Sequence, residues 1–224
     1  MFAGLTYLCC FHGINLNSSI LTLVIQAGGE SRRMGADKAL LPFLGQPLIL
    51  RPLKRLAALA DEVLVTSNHP ERYHFLGLTP IPDLIPGLGA LSGLYTALSA
   101  ARFPYVAVVA CDMPFANPAI FALELSLLQK TGADAVIPRT DAGTEPFHAI
   151  YQRETCLPHV QAALEAGKRR VDAWFSHVKI RYMEPSEFLP YDPDQLAFMN
   201  INTPEELQEA ERIAGEETPL DKPE

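Results

Sequence analysis

The chain has little that would bind it together covalently or carry it to a membrane. Its four cysteines, Cys9, Cys10, Cys111 and Cys156, show neither paired metal-ligand spacing nor a disulfide framework, so reduced thiols in a cytoplasm are the expectation. The six histidines are scattered, which leaves zinc chemistry without a ligand set. No segment reaches the roughly 20 consecutive apolar residues that span a bilayer. Positive charge is in deficit, with 18 Lys and Arg against 26 Asp and Glu and a net charge of −8. That balance argues against a general nucleic-acid or membrane-surface binder but leaves room for a local basic pocket. Residues 1–20 lack a basic n-region, a long apolar core and a small-residue cleavage site, so no signal peptide is expected there. They read as an extension, disordered or created by a start assigned too early. Internal repeats are absent. Two common glycine fingerprints are missing as well: Gly28-Gly29 is followed only by Gly35, and Lys38 adjoins no glycine, so neither G-x-G-x-x-G nor G-x-x-x-x-G-K-[S/T] is present.

What the chain does have is enough apolar material, 48% over 224 residues, for one sizeable core. We expect a single domain over 21–214 and a disordered polar tail over 215–224. Its organising stretch is Leu21 to Lys38, LTLVIQAGGESRRMGADK. The first five residues are apolar and rich in β-branching, as in a strand buried on both faces of a parallel sheet. A glycine pair at its carboxyl end lets consecutive backbone amides turn inward around an anion. Ser31, Arg32, Arg33 and Lys38 follow within ten residues, so hydroxyl, guanidinium and ammonium groups converge where a phosphate would sit. The local chemistry is that of a nucleoside triphosphate site.

Buried strands then alternate with amphipathic helices, which predicts a three-layer α/β/α fold with a mostly parallel sheet. Ala39–Gly45 reads as an extended link and Gln46–Ala60 as a helix with Pro47 in its first turn. Glu62–Thr66 is the second strand. A helix is expected from Ala90 to about Ala101, and a strand over Tyr105–Ala110 that delivers Asp112 to the carboxyl edge of the sheet. A carboxylate there suits Mg²⁺, which uses one or two protein oxygens and completes its shell with phosphate and water. Asn117-Pro118 opens a helix to about Gln129; Ala133–Pro138 and Phe147–Tyr151 read as paired strands, and Leu157–Ala166 as a short helix. His148 is expected to pack within its strand with a satisfied ring, in preference to serving as a base. Cys111 is expected to be a packed neighbour, since no His or Lys adjoins it to lower its pKa. Thr203, Pro204 and Glu206 form a capping box for a last helix.

The run Ala27-Gly28-Gly29-Glu30-Ser31-Arg32-Arg33-Met34-Gly35-Ala36-Asp37-Lys38 resembles the signature of the molybdenum cofactor guanylyltransferases. The resemblance extends over about residues 21–214, through Pro86–Leu94 (PGLGALSGL), Cys111-Asp112-Met113-Pro114, Glu145–Tyr151, Ala166–Arg170 and Phe198–Glu206. It implies a Rossmann-like nucleotidyltransferase fold and transfer of GMP from GTP to molybdenum-loaded molybdopterin, with Mg²⁺ as cofactor. By this resemblance the nucleotide lies against Gln26, Ala27, Gly28, Gly29, Lys38, Asn68, Asp83 and Asp112, and Arg33, Lys38 and Asp112 carry catalysis. Asp112 is the metal ligand. Gln26 stands where the family usually has leucine, and its contact is assigned to the backbone. Arg169, Arg170, Asn200 and Asn202 are candidates for the pterin phosphate and the reacting centre. Molybdoenzyme chaperones and other cofactor-biosynthesis proteins are implied partners. Base specificity stays open among these residues: a molybdopterin cytidylyltransferase, another small-molecule nucleotidyltransferase and a non-catalytic carrier of nucleotide or finished cofactor are the alternatives.

Overall fold

The computed structural model describes residues 20–27 and 37–216. The expectations for the amino-terminal extension, for Gly28, Gly29 and Arg33, and for the tail from 217 onward lie outside the described residues. The described residues form nine strands: β1 Leu21–Gln26, β2 Pro42–Phe43, β3 Gln46–Pro47, β4 Glu62–Thr66, β5 Tyr105–Ala110, β6 Ala135–Thr140, β7 Gly143–Thr144, β8 His148–Gln152 and β9 Ile180–Met183. The helices are α1 Leu50–Leu56, α2 Ala90–Ala100, α3 Pro118–Thr131, α4 Arg153–Glu165, α5 Pro185–Phe188 and α6 Pro204–Glu216.

The main sheet runs β4-β1-β5-β8-β6-β7, with β9 also paired to β6. Strand β1 is parallel to β4 and β5, β9 is parallel to β6, and β8 is antiparallel to both of its neighbours. Every residue of β1 is buried, which its unbroken apolar run requires of a central strand. Side chains of a strand alternate in direction, so Leu21, Leu23 and Ile25 join Leu56 of α1 and Ile120, Phe121 and Leu128 of α3 in one core. Val24 joins Leu91, Leu94 and Leu98 of α2 and Val160 and Leu164 of α4 in the other. Each such fully buried side chain stabilises the fold by about 1.5–3 kcal/mol relative to exposure. The result is the expected three-layer α/β/α arrangement.

Three expectations are corrected and one strand is added. The predicted helix Gln46–Ala60 does not begin at Gln46. Leu44 and Gly45 both have positive φ, 48° and 78°, and reverse the chain so that Gln46-Pro47 pairs back onto Pro42-Phe43. The amides of Leu48 and Ile49 are then committed to the carbonyls of Leu41 and Ala39. Helix α1 starts at Leu50, and Pro52 falls in its first turn, where a missing N–H leaves no intrahelical bond unmade. The extended link before it contains a tight helical turn at Lys38–Leu40. Helix α4 starts four residues before its predicted start, because Arg153 is pinned at both ends: its amide donates to Pro104 O and its Nε to Leu98 O. Strand β9 was not foreseen; its alternation is obscured by charge, and pairing with β6 is what makes it a strand.

Candidate active site

The ends of β1, β4 and β5 lie side by side along the carboxyl edge of the sheet, the edge at which open α/β sheets present ligand sites. Asp112 follows β5. Its carboxylate accepts from Lys38 Nζ at 3.0 Å, and the same ammonium donates at 2.6 Å to Asn202 Oδ1. Residues 74 and 164 positions apart in sequence from Lys38 thus meet at one point. Lys38 and Asp112 side chains are 19% and 15% exposed, so the cluster is screened but open to a ligand.

Each member is held by its own backbone. The Asp37 carboxylate caps the turn at Lys38–Leu40 by accepting from the Ala39 amide at 3.2 Å. Tyr73, wholly buried, donates its hydroxyl to the other oxygen of Asp37 at 2.9 Å. Burial, reinforced by Asp37, pushes the Tyr73 phenol upward, so it stays a donor. Asn202 is set by the capping box of α6: Glu206 accepts from the amides of Asn202 and Thr203 at 2.6 and 3.0 Å, and Thr203 accepts from the Glu206 amide at 3.2 Å. The Ile201 amide donates to Asp112 O at 3.0 Å, fastening this segment to the end of β5.

Beyond β4, Asn68 and Asp83 form a two-way clasp. Asn68 Nδ2 donates to the Asp83 carboxylate and Asn68 Oδ1 accepts from the Asp83 amide, both at 2.9 Å. Asn68 is exposed and Asp83 half-buried. The loop that follows is tied to α2, with the Leu84 amide donating to Thr96 Oγ1 at 3.0 Å and Ser92 Oγ donating to Ile85 O. Gly87 and Gly89 take φ of 82° and 71°, conformations that strain other residues, and Gly89 leads directly into α2. A Cβ on Gly89 would lie 3.8 Å from the Arg169 carbonyl, so the basic segment after α4 abuts this glycine loop.

The other sequence candidates fall as follows. Gln26 and Ala27 terminate β1; the Gln26 carbonyl accepts from the Cys111 amide at 3.0 Å, and the Ala27 amide donates to Thr66 O at 2.8 Å. Arg169 and Arg170 are exposed, and Arg170 is bound through two nitrogens to Asp172 at 2.9 and 2.6 Å. Asn200 donates to Phe198 O at 3.1 Å, a turn contact, and is not bonded to the Lys38 cluster. Cys111 is buried, and burial first, then Asp112, pushes its thiol upward, as suits a packed neighbour. His148 is wholly buried with both ring nitrogens engaged, by Glu124 at 3.0 Å and the Asn117 amide at 3.4 Å. Sequence reasoning missed Tyr73, the Asn68–Asp83 clasp as a pair, and Glu124; nothing in their local spacing marks them, because their partners lie 15 to 36 residues away.

The donor set at the cluster suits a hard cation. A carboxylate and a carboxamide oxygen already converge on one positive charge, the Lys38 ammonium. Among the described residues no group of three or more His, Cys, Asp or Glu gathers here or elsewhere, so an ion at the cluster would take its remaining ligands from phosphate and water.

Comparison with known proteins agrees with this geometry. The family model described as the MobA-like NTP transferase domain matches residues 23–180. The molybdenum cofactor guanylyltransferase of Desulfosudis oleivorans is 32% identical over 192 residues, covering 85% of this chain and 94% of its own. That of Syntrophotalea carbinolica is 33% identical over 189 residues, covering 84% and 90%. Among solved structures, molybdopterin-guanine dinucleotide biosynthesis protein A from Archaeoglobus fulgidus superposes with a TM-score of 0.77 at 26% identity, covering 88% of this chain and 100% of that one. The 2-C-methyl-D-erythritol 4-phosphate cytidylyltransferase of Thermus thermophilus shares the fold, with a TM-score of 0.63 at 19% identity, covering 86% of this chain and 98% of that one. The chain therefore belongs to the MobA-like NTP transferases, in the company of the molybdenum cofactor guanylyltransferases.

Proposed function

We propose that this protein transfers GMP from GTP to molybdenum-loaded molybdopterin, forming the guanine dinucleotide cofactor and pyrophosphate. The observation that carries the reading is the meeting of Lys38, Asp112 and Asn202 at the sheet edge, from three remote segments that each belong to a motif of the family. In this reaction an oxygen of the pterin's terminal phosphate attacks the α-phosphorus of GTP. The new P–O bond forms as the α–β bridge breaks and pyrophosphate departs. A phosphate monoester is already ionised near neutral pH, its second pKa being about 6, so the step needs positioning and charge stabilisation more than a base. His148, buried with both nitrogens bonded, is not available to act as one.

We assign Lys38 to the β- and γ-phosphates, together with Arg33 and the Gly28-Gly29 amides that follow β1. Asn68 and Asp83 are assigned to the base, beyond the neighbouring strand. Asp112, with Asn202 beside it, would hold Mg²⁺, which when bound would neutralise charge on the α-phosphate. Lys38 orients the triphosphate, and Ile201 and Glu206 keep Asn202 directed at the same point. We assign Arg169, whose carbonyl adjoins the Gly89 loop, and Arg170 to the anionic pterin; cofactor-biosynthesis proteins and molybdoenzyme chaperones would take up the product.

Pyrophosphate release is the test, with purified protein, Mg²⁺, molybdate-loaded molybdopterin and GTP, CTP, ATP or UTP in parallel. Release with GTP is expected. Release only with CTP would transfer the reading to cytidylyl chemistry, and nucleotide binding without release from any of the four would overturn it in favour of a carrier.

A further inference from the structure

Gln26 occupies the last position of the central strand, flanked in register by Thr66 at the end of β4 and Ala110 at the end of β5. It thus lies between the Asn68–Asp83 clasp and the Lys38 cluster. Its backbone is spent on the sheet, with the carbonyl bonded to the Cys111 amide. The residue is 9% exposed, and its buried Nε2 has no hydrogen-bond partner among the described residues. A buried donor without an acceptor is rare and unfavourable.

The surroundings are shaped to keep the carboxamide where it is. Gly93, in the first turn of α2, faces it: a Cβ there would lie 3.1 Å from Gln26 Oε1 and 3.3 Å from Nε2. Glycine inside a helix weakens it relative to alanine, so the missing Cβ serves the close approach. The neighbouring Ser92 and Thr96 hydroxyls are already engaged, with Ile85 O, Ser92 O and the Leu84 amide. Among the described residues nothing accepts from Nε2.

Resting on the proposed function, we infer that Gln26 is a base-reading residue: its free N–H takes a keto oxygen of the purine, and Gly93 is the notch that lets it do so. A donor fixed here bonds the 6-keto oxygen of guanine. Against adenine it faces an amino group, donor against donor, and remains unpaired. A site built to hydrogen-bond a group rejects the analogue lacking it more strongly than shape alone does, because the protein's own polar atom is stranded.

The experiment measures nucleotide affinity, without the pterin, for GTP, ATP, ITP and 2-aminopurine riboside triphosphate, the last retaining the 2-amino group of guanine but lacking the 6-keto oxygen. The parent is expected to bind GTP and ITP alike at this contact and to discriminate against the other two. Gln26→Leu, which keeps the bulk and removes the donor, should reduce the GTP to 2-aminopurine preference by roughly tenfold or more. Gly93→Ala, which leaves Gln26 in place but displaces its carboxamide, should do the same, and would read the contact if the Leu variant failed to fold. Equal weakening of all four nucleotides would mean that Gln26 holds ribose or phosphate and would overturn the inference, as would unchanged discrimination in either folded variant. A parent that binds none of the four overturns the proposed function with it, whereas guanine selectivity that survives both variants overturns only the role of Gln26.

Discussion

Replacing Glu124 with glutamine should make the protein more stable at pH 8 and no different near pH 4.5. Glu124 of α3 and His148 of β8 are both wholly inaccessible, beneath the segment that carries Asn117. His148 Nε2 accepts from the Asn117 amide, which places the single ring proton on Nδ1, from which it is donated to Glu124 Oε1 at 3.0 Å. Phe121 stacks on the ring with centroids 4.0 Å apart, and Glu124 Oε2 has no partner. An ion pair would need a second ring proton directed at the Asn117 N–H. Burial instead raises the Glu124 carboxyl well above 4.5 and lowers the imidazole from 6.5 to about 3, so the contact is a hydrogen bond between neutral groups.

The two signs differ. Because the folded carboxyl is raised, its relative stabilisation is complete below the unfolded value of 4.5 and is lost as pH rises toward the folded one. Because the folded imidazole is lowered, its contribution is complete above 6.5 and is lost as pH falls toward about 3. Glutamine preserves the acceptor for His148 Nδ1 and abolishes only the first of these. The stability of Glu124→Gln minus that of the parent should therefore climb from near zero at pH 4.5 by up to about 1.4 kcal/mol per pH unit. Urea unfolding followed by the fluorescence of Trp174, the one tryptophan, measures it from pH 4.5 to 8. A difference that stays flat with pH, or a variant less stable than the parent at pH 8, would refute the neutral pair.

Three further outcomes are expected. Lys38→Ala removes a charge held between Asp112 and Asn202 and should lower turnover by about 10²–10³, the scale of losing one directed donor, with the circular dichroism spectrum unchanged; parental turnover would reject its role. Tyr73→Phe deletes a buried donor to the Asp37 carboxylate and should cost about 1.5–3 kcal/mol in urea unfolding, with a smaller loss of turnover than Lys38→Ala because the turn bearing Lys38 loosens. Arg169→Ala should raise KM for the pterin several-fold, more at low salt than at high, and leave GTP affinity in place; a KM insensitive to the change would remove Arg169 from the second-substrate site.

Much of the fold could be read directly. The apolar runs of β1 and β5 and the caps at Asn117 and Thr203 need only local chemistry, and they stand where that chemistry puts them. The placements that failed are those in which distant pairing outweighed local preference. Gln46-Pro47 reads as a helix entry until the positive φ angles at Leu44 and Gly45 fold it against Pro42-Phe43, and the polar β9 becomes a strand only beside β6.

The site divides in the same way. By itself the sequence determined the type of chemistry expected: the glycine pair with Arg32, Arg33 and Lys38 reads as a phosphate site, and Asp112 and Asn202 join it through motifs that resemble those of the guanylyltransferases. Tertiary structure alone decided that these three meet, that Asn200 turns away to Phe198 O, that Asn68 and Asp83 close on each other, and that Gln26 keeps a free donor opposite Gly93. The physical reason is the range of the forces. Helix caps and strand periodicity act over a few residues and are written into the local order, whereas hydrogen bonds and charge contacts at the site act over about 3 Å in space between residues up to 164 positions apart, which only the folded chain brings together.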